Sequence, residues 1–244
     1  QVKKLETALG QRLVARGRGQ AMSLTPEGEA FLVYARRILA LSEDAVETVQ
    51  TANARRILRL GTTVTLAMSI VADVLAAFAA DHPDVQIQIQ CDRSDQLLAR
   101  LDDGDIDLAF MMDQGRHPHR RFVHSMDLAW VSAPNLTLPE DAPIPLAFLT
   151  DGRDLRRYAL SALDQAGLRG QVSHLSPHPI GVRTLVQAGL ALTIMPKATI
   201  VPPLVAASGL PPLQPIALAA YLNPRDAANG GDTLITHLAA AVTG

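Results

Sequence analysis

Between Gly28 and Gly61 the sequence contains neither proline nor glycine, and so long a stretch without a breaker limits the fold more than any other feature. The pattern predicts one helix from Pro26 to about Asn53, roughly 42 Å long at 1.5 Å per residue. Thr25 stands ahead of it as a cap, Pro26 takes the first helical position, and Glu27 and Glu29 lie near the positive helix end. Phe31, Ile38, Ala45 and Ala52 fall on one seven-residue row, with Tyr34, Leu41 and Thr48 on the adjacent one. Together they make a mostly apolar seam of coiled-coil period, and Leu32, Leu39 and Val46 add a second row. One row can lie on the chain's own body while the other meets a second copy, so Phe31, Tyr34, Ile38, Leu41 and Ala45 are expected to join two copies. The alternative is a long helix buried within one subunit.

Ahead of this rod, Leu5, Leu9 and Leu13 recur every four residues, as in the last turns of an amphipathic helix ending near Gly10. Leu13–Arg16 and Ala21–Leu24 then read as two short strands around a glycine-containing turn, a small wing with Arg16 and Arg18 at its tip. The first residue is Gln1, apparently already inside a helix, so the chain is read as a piece that lacks its N-terminal part.

After the rod the pattern changes to alternating strands and helices. Arg56–Thr63, Val85–Gln90 and Gly104–Phe110 read as strands, separated by a helix over Thr65–Asp81 and another capped by Ser94. That alternation implies a parallel α/β sheet. A second series comprises strands at Leu128–Ser132, Ile144–Leu149, Gln171–Leu175 and Ala191–Met195, and helices at Asp154–Ala166 and Ile180–Ala188. A late strand at Ile216–Leu222 and a helix at Asp232–Val242 complete the chain, and two lobes of like architecture account for its 244 residues.

Charge divides the same way. Residues 1–60 hold ten Lys and Arg against six acids, whereas residues 61–244 hold twelve against eighteen, a basic head on an acidic body. No apolar run approaches the ~20 residues that span a bilayer, and no signal peptide is recognisable, so no membrane partner is expected. A single cysteine, Cys91, excludes an internal disulfide, consistent with a cytoplasmic location. It is expected to be a packed thiol.

Several stretches carry a resemblance. Gln1–Gly10, then Leu13-Val14-Ala15-Arg16 and Leu24-Thr25-Pro26-Glu27-Gly28-Glu29, resemble the end of the winged helix-turn-helix and the linker helix of LysR-type transcriptional regulators. Val14 stands where that family usually has Phe. Further along, Arg59-Leu60-Gly61, His82-Pro83-Asp84-Val85, Ile106-Asp107-Leu108-Ala109 and Ile194-Met195-Pro196 resemble the family's effector-binding domain. The resemblance implies a two-lobed α/β domain of the periplasmic-binding-protein kind, preceded by a truncated winged helix-turn-helix and a long linker helix. It divides the chain into 1–25, 26–55 and 56–244, with one lobe at about 56–124 plus 216–244 and the other at about 125–215. It also implies double-stranded promoter DNA as a partner, faced by Gln1, Lys4, Arg16 and Arg18, with most base-reading residues lying before Gln1.

In open parallel sheets, ligands bind beyond the carboxyl ends of strands, where helix N-termini offer free N–H groups. Matching the family's motifs puts Thr65, Ser94, Arg153, Leu155 and His178 at such a cleft, where Arg153 would clamp the carboxylate of a small organic anion. Simple capping by Thr65 and Ser94, and an ion pair of Arg153 with Asp151 or Asp154, are the competing structural roles. His117, His119 and His124 sit among Arg116, Arg120 and Arg121, which would repel a cation, so this stretch reads as an exposed basic loop and no metal or other cofactor is expected. No nucleophile elbow, P-loop or dinucleotide fingerprint appears. The expectation is a homo-oligomeric regulator that is not an enzyme; the rival is a two-lobed solute-binding or catalytic protein that uses its front helix only to oligomerise.

Overall fold

A computed structural model describes residues 1–15, 23–50, 56–138, 142–224 and 230–243; the side chains of 37, 40, 41, 43–50 and 154 lie outside that description. The head begins with α1 (Val2–Leu9), which stops at Gly10 because φ there is +67°, a left-handed conformation that glycine adopts without strain. Strands β1 (Val14–Ala15) and β2 (Ser23–Leu24) pair antiparallel, Val14 opposite Leu24, and form the base of the expected wing. Its tip, with Arg16 and Arg18, lies outside the described residues.

Helix α2 (Pro26–Gln50) starts where the capping pattern places it. The Thr25 hydroxyl accepts the Gly28 N–H at 3.0 Å and donates to the Arg12 carbonyl at 2.6 Å, so one side chain both caps the helix and ties it to the head. Phe31 is half-buried, but Tyr34, Ile38 and Leu39 are each 62% exposed, so at these described positions the helix is not buried within the subunit. The side chains of Leu41 and Ala45 lie outside the described residues.

The first lobe contains β3 (Arg56–Thr62), α3 (Val64–Ala67), α4 (Ile70–Asp81), β4 (Val85–Cys91), α5 (Ser94–Asp103), β5 (Leu108–Met112) and β6 (Arg120–Met126). The second contains β7 (Leu128–Ser132), β8 (Ile144–Leu149), α6 (Arg153–Gln165), β9 (Gly170–Ser176), α7 (Pro179–Gln187), β10 (Thr193–Pro196) and β11 (Val205–Ala206). The chain then returns to the first lobe through β12 (Ile216–Leu222) and α8 (Gly231–Thr243). The five-stranded sheet has the order β4-β3-β5-β12-β6, with β3 parallel to both neighbours and β12 antiparallel to both of its own. Phe78, Phe110, Leu218 and Leu234 fill one face of it, and Leu97, Leu101, Ile106 and Tyr221 the other. In the second lobe, β8 and β9 pair in parallel, and a Leu146–Leu192 bridge joins them to the β10-β7-β11 sheet over Trp130, Phe148 and Leu163. The chain passes between lobes at Asp127 and again before Ile216, whose side chain packs against both cores.

Several expectations change. The helix over 65–81 is two helices, because the Ser69 hydroxyl donates back to the Thr65 carbonyl at 2.8 Å and Ser69 leaves helical geometry. The first-lobe sheet is mixed rather than parallel. Residues 120–126 are not loop but a sixth strand: β12 offers a free edge, and Phe122 and Met126 turn inward to pack on the core. The strand expected over 104–110 starts only at Leu108, since Gly104, at φ +81°, ends α5. Cys91 is exposed at the end of the edge strand rather than packed, and its thiol is pushed up by partial burial, the opposite of an activated thiolate.

Candidate functional site

Four turns lie at the carboxyl ends of strands, two from each lobe: β3 into α3, β4 into α5, β8 into α6, and β9 into α7. Helix α3 touches α7 across the lobes. At the other pair of turns, Arg93 Nη1 lies 3.1 Å from Asp151 Oδ2, an ion pair that spans the cleft. Both lobes therefore meet at these turns, and the N–H groups of α5, α6 and α7 start there.

The turns are tightly held. In the first lobe, buried Thr62 donates its hydroxyl to the Phe110 carbonyl at 2.8 Å, and the Thr63 side chain caps α3 by accepting the Leu66 N–H at 3.4 Å. Thr65 is half-buried one position inside that helix, so capping falls to Thr63 and not to Thr65. Ser94 likewise is the first residue of α5, with Arg93 at the cap position and no side-chain cap bond, which corrects the expected Ser94 cap. In the second lobe, the Thr150 N–H donates to the Ser176 carbonyl at 2.9 Å and the Gly152 N–H to the Leu149 carbonyl at 3.0 Å. His178 is exposed at the start of α7, and its N–H donates to Ser176 Oγ at 3.1 Å while that hydroxyl donates to the His178 carbonyl at 2.8 Å.

Arg153 opens α6 and is exposed; its N–H donates to the Asp151 carbonyl at 2.8 Å, but the Asp151 carboxylate pairs with Arg93 instead. Leu155 turns inward and packs against the second core, so at least part of its role is structural. The cation that sequence reasoning passed over is Arg93. Nothing in its local sequence signals the role, because its partner Asp151 is 58 residues away on the other lobe. At the head, Gln1 and Lys4 are exposed, and Gln1 accepts the Lys4 N–H at 3.0 Å through its carbonyl as the first turn of α1 closes. Among the described residues no group of three or more His, Cys, Asp or Glu is placed to hold a metal ion. The stretch expected as an exposed basic loop is instead tied down: His117 Nε2 lies 3.2 Å from Asp102, and Arg120 Nη1 3.1 Å from Asp113.

The pattern of the LysR substrate binding domain matches residues 51–230. The chain belongs to the LysR family. It is 29% identical over 217 residues to the HTH-type transcriptional regulator DgdR of Burkholderia cepacia, covering 88% of this chain and 73% of that one. It is 26% identical over 194 residues to the HTH-type transcriptional regulator PecT of Dickeya dadantii, covering 80% of this chain and 61% of that one. In fold it is similar to the crystal structure of CbnR, a LysR family transcriptional regulator, with a TM-score of 0.64, 19% identity, and coverage of 99% of this chain and 87% of that one. The structure of full-length CbnR complexed with its target DNA gives a TM-score of 0.62 at 18% identity, covering 99% of this chain and 86% of that one. LysR family members are transcriptional regulators rather than enzymes, which sets aside the catalytic rival. Among the described residues no helix of this LysR chain is long and apolar enough to cross a membrane.

Proposed function

We propose that this LysR chain senses a small organic anion in the cleft between its lobes and passes the signal through α2 to DNA-binding heads in a cytoplasmic homo-oligomer. The observation that carries the reading is the convergence of four strand-end turns, two per lobe, on one cleft bridged by Arg93 and Asp151. Thr65, Ser94, Arg153, Leu155 and His178 line or support it, and Arg153 at the start of α6 offers an exposed guanidinium to a carboxylate. The division into head (1–25), linker (26–55) and two-lobed sensor (56–244) belongs to the same proposal. So does the role of Gln1, Lys4, Arg16 and Arg18 in contacting promoter DNA.

Exposed Tyr34 and Ile38 support a second copy of the chain against α2, with Phe31, Leu41 and Ala45 on the same seam. An effector changes promoter occupancy only by binding the two arrangements of the oligomer unequally. Fluorescence anisotropy of the full-length protein on the DNA upstream of its own gene, across a salt series with random duplex as competitor, tests the DNA arm. Binding that outlasts the competitor supports the proposal; loss of all preference for that DNA overturns it. Once an effector is identified by its shift of that binding, Arg153→Ala is expected to weaken it, and undiminished affinity removes the carboxylate clamp.

A further inference from the structure

We infer that Arg93 and Asp151 form an interlobe latch that holds the cleft closed in the absence of ligand, with the Asp151 carboxylate occupying the guanidinium that an incoming anion must win. The inference rests on reading the cleft as the sensor site. Both partners are exposed, Arg93 by 56% and Asp151 by 72% of their side chains, and an isolated pair of that kind contributes little. This pair differs because the Arg93 side chain and the backbone turn that carries Asp151 are each held by other bonds.

Arg93 is clamped by Asp95, Nε to Oδ1 and Nη2 to Oδ2 both at 3.2 Å, a two-pronged grip that fixes the guanidinium plane and leaves Nη1 pointing at the other lobe. Its own backbone is pinned as well: the Arg93 N–H donates to Asp92 Oδ1 at 2.9 Å, the Asp92 N–H donates to the Thr62 carbonyl at 3.1 Å, and Arg100 lies 3.4 Å from Asp92 Oδ2. Opposite, Asp151 sits in the β8–α6 turn held by the Thr150, Gly152 and Arg153 N–H groups. The Arg93 side chain therefore has less freedom to lose when the pair forms, and more of its attraction is kept. The lobes touch through α3 and α7 as well as at the two chain crossings, and the latch adds a charged contact between the other pair of turns. A ligand carboxylate offers Nη1 an oxygen in the place of Asp151 Oδ2, so its binding exchanges one anion for another without stranding the guanidinium.

The test is hydrogen exchange by mass spectrometry on the free protein, with neither effector nor DNA, so a failure of the effector reading and a failure of the latch give separate results. Asp151→Asn and Arg93→Gln are each expected to speed exchange at residues 63–68 and 178–184, the α3–α7 contact, by about two- to fivefold. The double variant exchanges no faster than the faster single, and about 0.5 M NaCl reproduces the effect in the wild type but not in the double variant. The strands at 58–60 and 146–148 stay unchanged. The latch is overturned if the single variants leave the α3–α7 contact as protected as in the wild type, if their effects add, or if the core strands accelerate equally.

Discussion

The carbonyl oxygen of Leu13 occupies the space into which a β-carbon on Gly28 would project. Leu13 is itself buried, and its N–H and that of Val14 donate to Glu6 Oε1 at 2.9 and 3.1 Å, while its carbonyl accepts the Thr25 N–H at 3.0 Å. The junction between head and rod is therefore built on the Leu13 backbone: α1 reaches it through the Glu6 carboxylate, and α2 through the backbone of Thr25 and Gly28.

Gly28→Ala is expected to force this junction apart and to cost about 1–3 kcal/mol, the usual penalty of overpacking against an atom that cannot rotate away. Urea unfolding of the full chain measures the loss. Gly10→Ala is the comparison: its surroundings are open, so only the left-handed backbone is penalised, by about 1 kcal/mol. Equal stability of Gly28→Ala and wild type contradicts the packing account.

In the first lobe, the buried Tyr221 hydroxyl donates to Asp113 Oδ1 at 2.6 Å and accepts the Gln114 N–H at 2.8 Å. Tyr221→Phe leaves both partners short of a bond and is expected to destabilise by about 1–3 kcal/mol. Burial, and then the Asp113 carboxylate, push the Tyr221 phenol up from 10 to about 12. A raised value favours the neutral phenol in the folded state, so this stability is complete below pH 10 and is lost as pH rises through about 12. Phenolate absorbance followed against pH should lack its most alkaline step in Tyr221→Phe.

Asp113 responds in the opposite direction. Burial works against its charge, but the hydrogen bonds from Tyr221 and Arg120 outweigh that cost and hold the carboxyl below its usual range. A depressed value stabilises the fold above the unfolded carboxyl's pKa, near about pH 4, and the contribution fades as pH falls through the folded value. Asp113→Asn should therefore lower stability at pH 7 and flatten its decline towards pH 3, as read from urea midpoints at about one-unit intervals. A decline as steep as in the wild type shows that Asp113 is not responsible for it.

A β-carbon on Gly181 would overlap Ser176 Oγ, the hydroxyl that holds both polar backbone groups of His178 at the cleft. Gly181→Ala is expected to displace this turn, cost about 1–3 kcal/mol, and speed exchange of the His178 N–H. Unchanged exchange there means that the hydroxyl turns aside without loosening the wall.

Strands β7, β8 and β12 lie where their apolar runs place them, and α2 begins at the cap and proline that announce it. Such features are local: capping, period and breakers act over a few residues and can be read from them. The edge strand β6 was hidden because its arginines and His124 suit a loop, and only the free edge of β12, about ninety residues later, makes it a strand. Ser69 breaks a helix that its neighbours favour, through a single back-bonded hydroxyl. For the cleft, the sequence supplied the four turns but not their pairing. It determined by itself the rod, the alternating strands and helices, and the family motifs, all written in short-range spacing. The tertiary structure alone decided that Arg93 faces Asp151, that Tyr221 locks Asp113, and that Gly28 admits the Leu13 carbonyl, because each depends on segments distant in sequence being packed to within a bond's length.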